Sequence, residues 1–204
     1  MPRRSSKKAA NGNERERRVV AQEAARIIVN QGVRDYRVAK MKAADRLGLN
    51  TRGSLPGNAE IQQALEEHHL LFGGDSHADL MRTMREAALA AMELLSSFTP
   101  RLVGPVLAGT ADANSAVNLH VFSDSVEAIA MTLSASDIQY RPYERRLKSR
   151  RDQTDTYAGF EFALDTAHVQ ATVFPVDGIR QAPLSPIDGK PMERADSKRV
   201  QELL

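Results

Sequence analysis

Asn118 and His120 stand two apart in the run Asn118-Leu119-His120-Val121-Phe122. On a strand they share one face, while Leu119 and Val121 take the other. An amide beside an imidazole offers a ligand a donor, an acceptor and a titratable nitrogen. Glu161, between Phe160 and Phe162, reaches the same face if a neighbouring strand carries it. A second cluster is cationic: Arg141, Arg145, Arg146, Lys148, Arg150 and Arg151 fall within eleven residues, beside Tyr140 and Tyr143. Strand alternation puts Tyr143 and Arg145 on one side and Arg146, Lys148 and Arg150 on the other. Such cations can track phosphates and such tyrosines can stack on bases. A solvated edge strand guarded by its charges fits the same pattern.

Other chemistries lack their residues. The chain has no cysteine, which removes disulfides, thiolate nucleophiles and Cys-ligated zinc. His68-His69 and His77 lack the i, i+4 spacing that brings two imidazoles to one metal from one helix. No phosphate loop of the Gly-x-x-x-x-Gly-Lys-Ser/Thr type, Gly-x-Ser-x-Gly elbow or Gly-x-Gly-x-x-Gly loop occurs. No metal or cofactor is expected from these residues. At 42% hydrophobic and 26% charged, with no apolar run near the ~20 residues of a membrane span, a cytoplasmic protein without a membrane partner is expected. The net charge is +2, so any polyanion site depends on where the charges sit.

Positioning falls to the surrounding elements. Residues 1–13 are basic and polar and read as a mobile tail. Residues 14–98 read as a helical region. Its helices run from Glu14 to a stop at Gly32, from Arg37 to Leu47, from Ala59 to Phe72, and from Asp75 or Ser76 to about Phe98. The texture changes at Pro100. Leu102-Val103, Val106-Leu107 and Ala116–Phe122 read as strands or strand-like turns, and Val126–Leu133 as a helix. Strands are expected over 138–147, 157–164 and 168–173, the last two forming a hairpin across Asp165-Thr166-Ala167. Residues 176–204 read as a proline-rich extended tail with a short helix from Ser197 to Leu204, serving as a lid or a wrapping arm. The fold class is therefore α+β.

The stretch from Leu102 to Leu119 resembles the signature of the polymerase-β type of nucleotidyltransferase. That signature is an apolar strand, Gly-Ser, a ten-residue spacer with an internal Gly, and Asp-x-Asp on the next strand. Gly104 stands at the Gly, Pro105 at the Ser, Gly109 at the internal Gly, and Ser115 just before the pair. The resemblance implies a nucleotidyltransferase-like mixed sheet with a flanking helix over residues 100–175. It also implies two divalent ions on paired carboxylates. Here Ala116 and Asn118 stand at the Asp positions, and the third carboxylate's strand offers only Gln170 and Thr172. A catalytically degenerate member is the leading expectation: a module that binds a nucleotide or RNA. Gly104, Gly109 and Ser115 would shape its phosphate side, Asn118 and His120 would give hydrogen bonds, and Arg145, Arg146 and Lys148 would give charge. The alternative is an active transferase with a non-standard Mg²⁺ site drawn from Asp112, Asp124 and Glu161.

A second resemblance covers Val19 to Leu49. Two helices joined by Gly32-Val33-Arg34-Asp35-Tyr36 resemble the opening of a TetR-type helix-turn-helix regulator, with Lys40, Lys42 and Arg46 along the second helix. The next helix carries Glu60, Glu66 and Glu67, which repel DNA, so a DNA-binding regulator ranks behind the other two readings.

Overall fold

The computed structural model of the chain describes residues 4–33, 35–49 and 55–204. Two compact units emerge: residues up to Gly74 with Pro186–Asp188, and Asp75–Ser185 with Gly189–Leu204.

The first unit holds helices α1 (Arg4–Gln31), α2 (Tyr36–Arg46) and α3 (Asn58–Phe72). Ala21, Ala24 and Ala25 of α1 and Ala39, Ala43 and Ala44 of α2 are buried together with Val20, Ile27, Ile61 and Leu65. Alanine at the contact lets two helix axes approach closely, and it is also the best helix former. Gly32 follows α1 at φ +63°, a left-handed position that stops the helix. Asp35 then caps α2, its Oδ1 accepting from Arg37 N at 2.7 Å and Val38 N at 3.2 Å. The Tyr36 hydroxyl donates to Gln62 Oε1, tying α2 to α3.

α1 begins at Arg4, ten residues before the expected start at Glu14. Lys7, Lys8, Ala9 and Ala10 are good helix formers, and no proline follows Pro2 until Pro56. Residues 1–3 of the expected tail, and 50–54 of the loop before α3, lie outside the described residues.

The second unit starts with α4 (Gly74–Leu94), so the helical region over 14–98 belongs to two units rather than one. Met81, Met84, Ala88, Ala91, Met92 and Leu95 share a core with Leu119, Val121, Phe160, Phe162, Val169, Ala171 and Val173. The apolar stripe over residues 80–95 favours a helix packed on the sheet domain, and α4 buries it there. A 3-10 turn, Ser96–Phe98, replaces the expected last turn of this helix ahead of Pro100.

The sheet has strands β1 (Arg101–Val103), β2 (Val117–Phe122), β3 (Tyr140–Arg150), β4 (Gln153–Leu164) and β5 (Ala167–Phe174), in the order β1-β2-β5-β4-β3. Only β2 and β5 pair in parallel. Between β1 and β2 lies α5 (Pro105–Ala108), where Val106-Leu107 had read as strand-like. Gly104 at φ 75° turns the chain, and Pro105 at the first helical position presets φ for a helix. α6 (Val126–Ala135) follows β2 and buries Ile129 and Leu133 in the sheet core.

The segment after β5 contains a 3-10 turn, Val176–Arg180, and then wraps the sheet. Ala195 and Leu102 exchange both backbone bonds, at 2.8 and 2.9 Å, which covers the open edge of β1. Val200 of α7 (Ser197–Gln201) is fully buried in the same core. The segment is thus a wrapping arm, not a lid.

Candidate functional site

Register places a polar row across all five strands: Arg101 of β1 faces His120 of β2, then Thr172, Gly159 and Tyr143. A neighbouring row carries Asn118, Gln170, Glu161 and Arg141 on the same face. The opposite face is the apolar core, so β2 is buried on both sides and its polar residues need partners.

Asn118 takes one from far away. Arg145 Nη1 donates to Asn118 Oδ1 at 3.0 Å, and Asn118 Nδ2 donates to the Ala116 carbonyl at 3.0 Å. β3 and β2 stand three strands apart in the sheet order, about 14 Å if the sheet were flat. An arginine cannot span that, so the β3–β4 hairpin curls over the polar face. Gly159 makes room: a Cβ there would lie 2.7 Å from Tyr143 Oη. The Tyr143 hydroxyl instead bonds Thr172 Oγ1 at 2.7 Å, and burial pushes its pKa up.

His120, 1% exposed, accepts at Nδ1 from Arg194 Nε at 3.0 Å, which leaves its proton on Nε2. Burial, then the charges of Arg194 and Arg145, lower its pKa to about 3. It is a neutral imidazole. Arg194 comes from the wrapping arm and also donates to the Gly178 carbonyl at 2.8 Å, with its guanidinium 4.9 Å from the ring centres of Phe122 and Phe174. Its Nη2 is buried without a partner among the described residues. Burial, set against the nearby Tyr157, and the charge of Arg101 bring its pKa down to about 10.

Of the residues singled out in the sequence, Gly104, Asn118, His120 and Arg145 come together; Asn118 Nδ2 would lie 3.6 Å from a Cβ on Gly104. The others do not join them. Gly109 caps the far end of α5 and accepts from His77 Nε2 at 3.0 Å. Ser115 closes a turn on Asp112, its Oγ donating to Oδ1 at 2.9 Å. Arg146 and Lys148 project from the other side of β3 and are exposed, because strand alternation separates them from Arg145.

The acids of the alternative metal site also stay apart. Asp112 precedes β2 and Asp124 follows it, about 17 Å of strand between them, while Glu161 on β4 sits 3.7 Å from His168. Asp124 Oδ1 accepts from Val176 N at 3.1 Å. Among the described residues no three His, Asp or Glu side chains gather in a way that could hold a metal ion. A two-metal site does not fit at Asn118, since its carbonyl oxygen already receives a guanidinium and its neighbours in register are neutral.

Sequence reasoning missed Arg101 and Arg194 as members of the cluster. No local pattern links Arg194, in the proline-rich segment, to a strand some seventy residues earlier. Beside the cluster, a cavity of about 220 Å³ is lined by Tyr157, Phe174, Asp155, Asp177, Gln153 and Gln181, among others. Tyr157 stacks on Phe174 with ring centres 4.4 Å apart.

No helix among the described residues is long and apolar enough to cross a membrane. Neither a protein-family model nor a curated protein matches the sequence.

Proposed function

We propose that the polar face of the sheet binds the phosphate end of a nucleotide or of RNA, and that the chain is a binding or regulatory module rather than a transferase. One observation carries this reading. Arg101, Arg145 and Arg194 gather about Asn118 and His120, and among the described residues none of the three forms an ion pair with a carboxylate. Partly desolvated cations without a counter-ion repel one another, and a bound phosphate relieves that repulsion. The planar guanidinium fork matches phosphate oxygens, and the adjoining Tyr157 offers a ring for a base.

The resemblance to nucleotidyltransferases supports the same ligand class. A glycine opens a helix directly after β1, and β5, with Gln170 in register with Asn118, lies beside β2. In this reading guanidinium groups stand where the family would use metal ions, so binding does not require Mg²⁺.

The test is a thermal-shift series on the full chain with nucleoside triphosphates, short RNA and inorganic pyrophosphate, each with and without Mg²⁺. Stabilisation independent of Mg²⁺ and lost in Arg145→Ala is expected. No shift with any ligand overturns the reading, and a shift that requires Mg²⁺ favours the enzyme alternative.

A further inference from the structure

β4 carries the polar face of the sheet past the arginine cluster. Gln153, Asp155, Tyr157, Gly159 and Glu161 alternate with Thr154, Thr156, Ala158 and Phe160, so the first five positions fall on that face. Tyr157 stands opposite Arg145 in the β3–β4 register, and Asp155 lies about 7 Å further along the strand. The cavity of about 220 Å³ forms where Gln153, Asp155 and Tyr157 meet Phe174, Asp177 and Gln181, all within the second unit. Two of its wall residues also touch the cluster. The Phe174 ring centre is 4.9 Å from the Arg194 guanidinium, and the Gly178 carbonyl accepts from Arg194 Nη1 at 2.8 Å. A ligand with phosphates on the arginines therefore has its other end at this cavity. The volume is below the ~300 Å³ at which pockets for drug-sized ligands begin, so it admits one ring system. Asp155 and Asp177 repel a phosphate, while Arg150 in the wall and Arg194 beside it offset their charge, which favours a neutral ligand over a cation. Tyr157, held against Phe174 with ring centres 4.4 Å apart, gives that ligand an aromatic wall. Asp155 forms no ion pair among the described residues. The Gln153 amide donates to its two oxygens at 3.1 and 3.4 Å, and Gln153 is an exposed side chain that a ligand can displace.

We infer that this cavity takes a guanine base, with the Asp155 carboxylate accepting from the guanine N1–H and its 2-amino group. The inference rests on the sheet reading above, in which the phosphates lie on the arginines. An ionised carboxylate is acceptor-only and has two oxygens side by side. Among the common bases guanine presents two adjacent donors on its Watson–Crick edge to meet them, and such charge-assisted bonds are the strong ones. Adenine and cytosine set a ring-nitrogen lone pair beside a single amino donor, and uracil flanks its one N–H with two carbonyls. Each of those lone pairs faces the carboxylate and is repelled. Arg150 and Gln181, also in the wall, supply donors for the guanine O6.

Isothermal titration calorimetry of the full chain with GTP, ATP, UTP, ITP, XTP and inorganic pyrophosphate tests the inference. GTP is expected to bind at least ~10-fold more tightly than ATP or UTP, because a site built to receive two donors leaves its carboxylate unpaired with the wrong base. ITP, which lacks the 2-amino group, is expected to bind more weakly than GTP. Asp155→Asn is expected to lose the preference for GTP and to favour XTP, whose 2-carbonyl accepts from the new amide. A merely structural role for Asp155 would not exchange one base for another. Equal affinity for the nucleotides, ITP binding as tightly as GTP, or a GTP preference that survives in Asp155→Asn overturns the inference and leaves the sheet reading in place. Pyrophosphate binding as tightly as GTP does the same. Failure of every nucleotide and of pyrophosphate to bind overturns both. L-Argininamide binding more tightly than GTP would assign the cavity to a cation and overturn the guanine site. The comparison of GTP with ITP uses the parent chain alone, so it decides the matter even where Asp155→Asn fails to fold.

Discussion

Arg194 Nε donates to His120 Nδ1 at 3.0 Å, joining the wrapping arm to the middle of a strand 74 residues earlier. The same guanidinium lies against Phe122 and Phe174 and donates to the carbonyls of Gly178 and Ile179. It acts as a staple: one side chain fixes the arm, the 3-10 turn after β5 and the polar face of β2.

Arg194→Ala is therefore expected to destabilise the chain by roughly 2–3 kcal/mol, through the unpaired His120 nitrogen and the lost packing of the arm. Arg194→Lys should recover little of this, because an ammonium cannot serve the imidazole and two carbonyls from one plane. Urea titrations followed by circular dichroism measure both; a loss below about 0.5 kcal/mol would show that the arm holds without it.

His120 makes stability depend on pH. Its folded pKa, about 3, lies below the usual histidine value of 6.5, so between these the unfolded chain binds more protons. The stabilisation is fully present above pH 6.5 and is lost as pH falls toward 3, with an upper bound of about 5 kcal/mol. His120→Gln keeps an acceptor for Arg194 and removes the titration. Urea midpoints at pH 7, 5 and 4 should fall more steeply for the parent than for this variant. Parallel curves would contradict a neutral, buried imidazole.

Gly159→Ala places a methyl in the Tyr143 ring, which must leave or distort β4. A cost of roughly 1–3 kcal/mol follows from overpacking. Tyr143→Ala removes both the clash and the bond to Thr172, so the double variant should cost less than the two single changes together. Additive costs would mean that the ring does not rest on this glycine.

Asn118→Asp restores a carboxylate where the nucleotidyltransferase signature has one. With Arg145 at 3.0 Å from Asn118 Oδ1, the new charge should form an ion pair and weaken binding of pyrophosphate or nucleotide severalfold. Mg²⁺ titration with a thermal-shift readout should show no gain. Mg²⁺-dependent stabilisation of this variant would reveal a latent metal site.

Much of the local structure was legible in the sequence. Gly32 marks the end of α1, the alternation over 160–164 and 169–173 marks the β4–β5 hairpin, and the Asn118/His120 alternation places both on one face. Each of these depends on neighbours within one or two turns of chain, where steric preference and periodicity act.

Other features came from contacts that no period encodes. The apolar stripe over residues 80–95 favoured a helix packed on the sheet domain, as the structure has it, but did not show that the boundary between units falls at Gly74–Asp75. Strand spacing separated Arg145 from Arg146 and Lys148, yet only the curl of the β3–β4 hairpin brought Arg145 to Asn118. Arg194 reached His120 because Ala195 pairs with Leu102 and Val200 enters the core. The sequence by itself determined an α+β composition, the helices, and a polar face on β2. Tertiary structure decided which cations meet there, because side chains distant in sequence converge only after the sheet has closed around its apolar face.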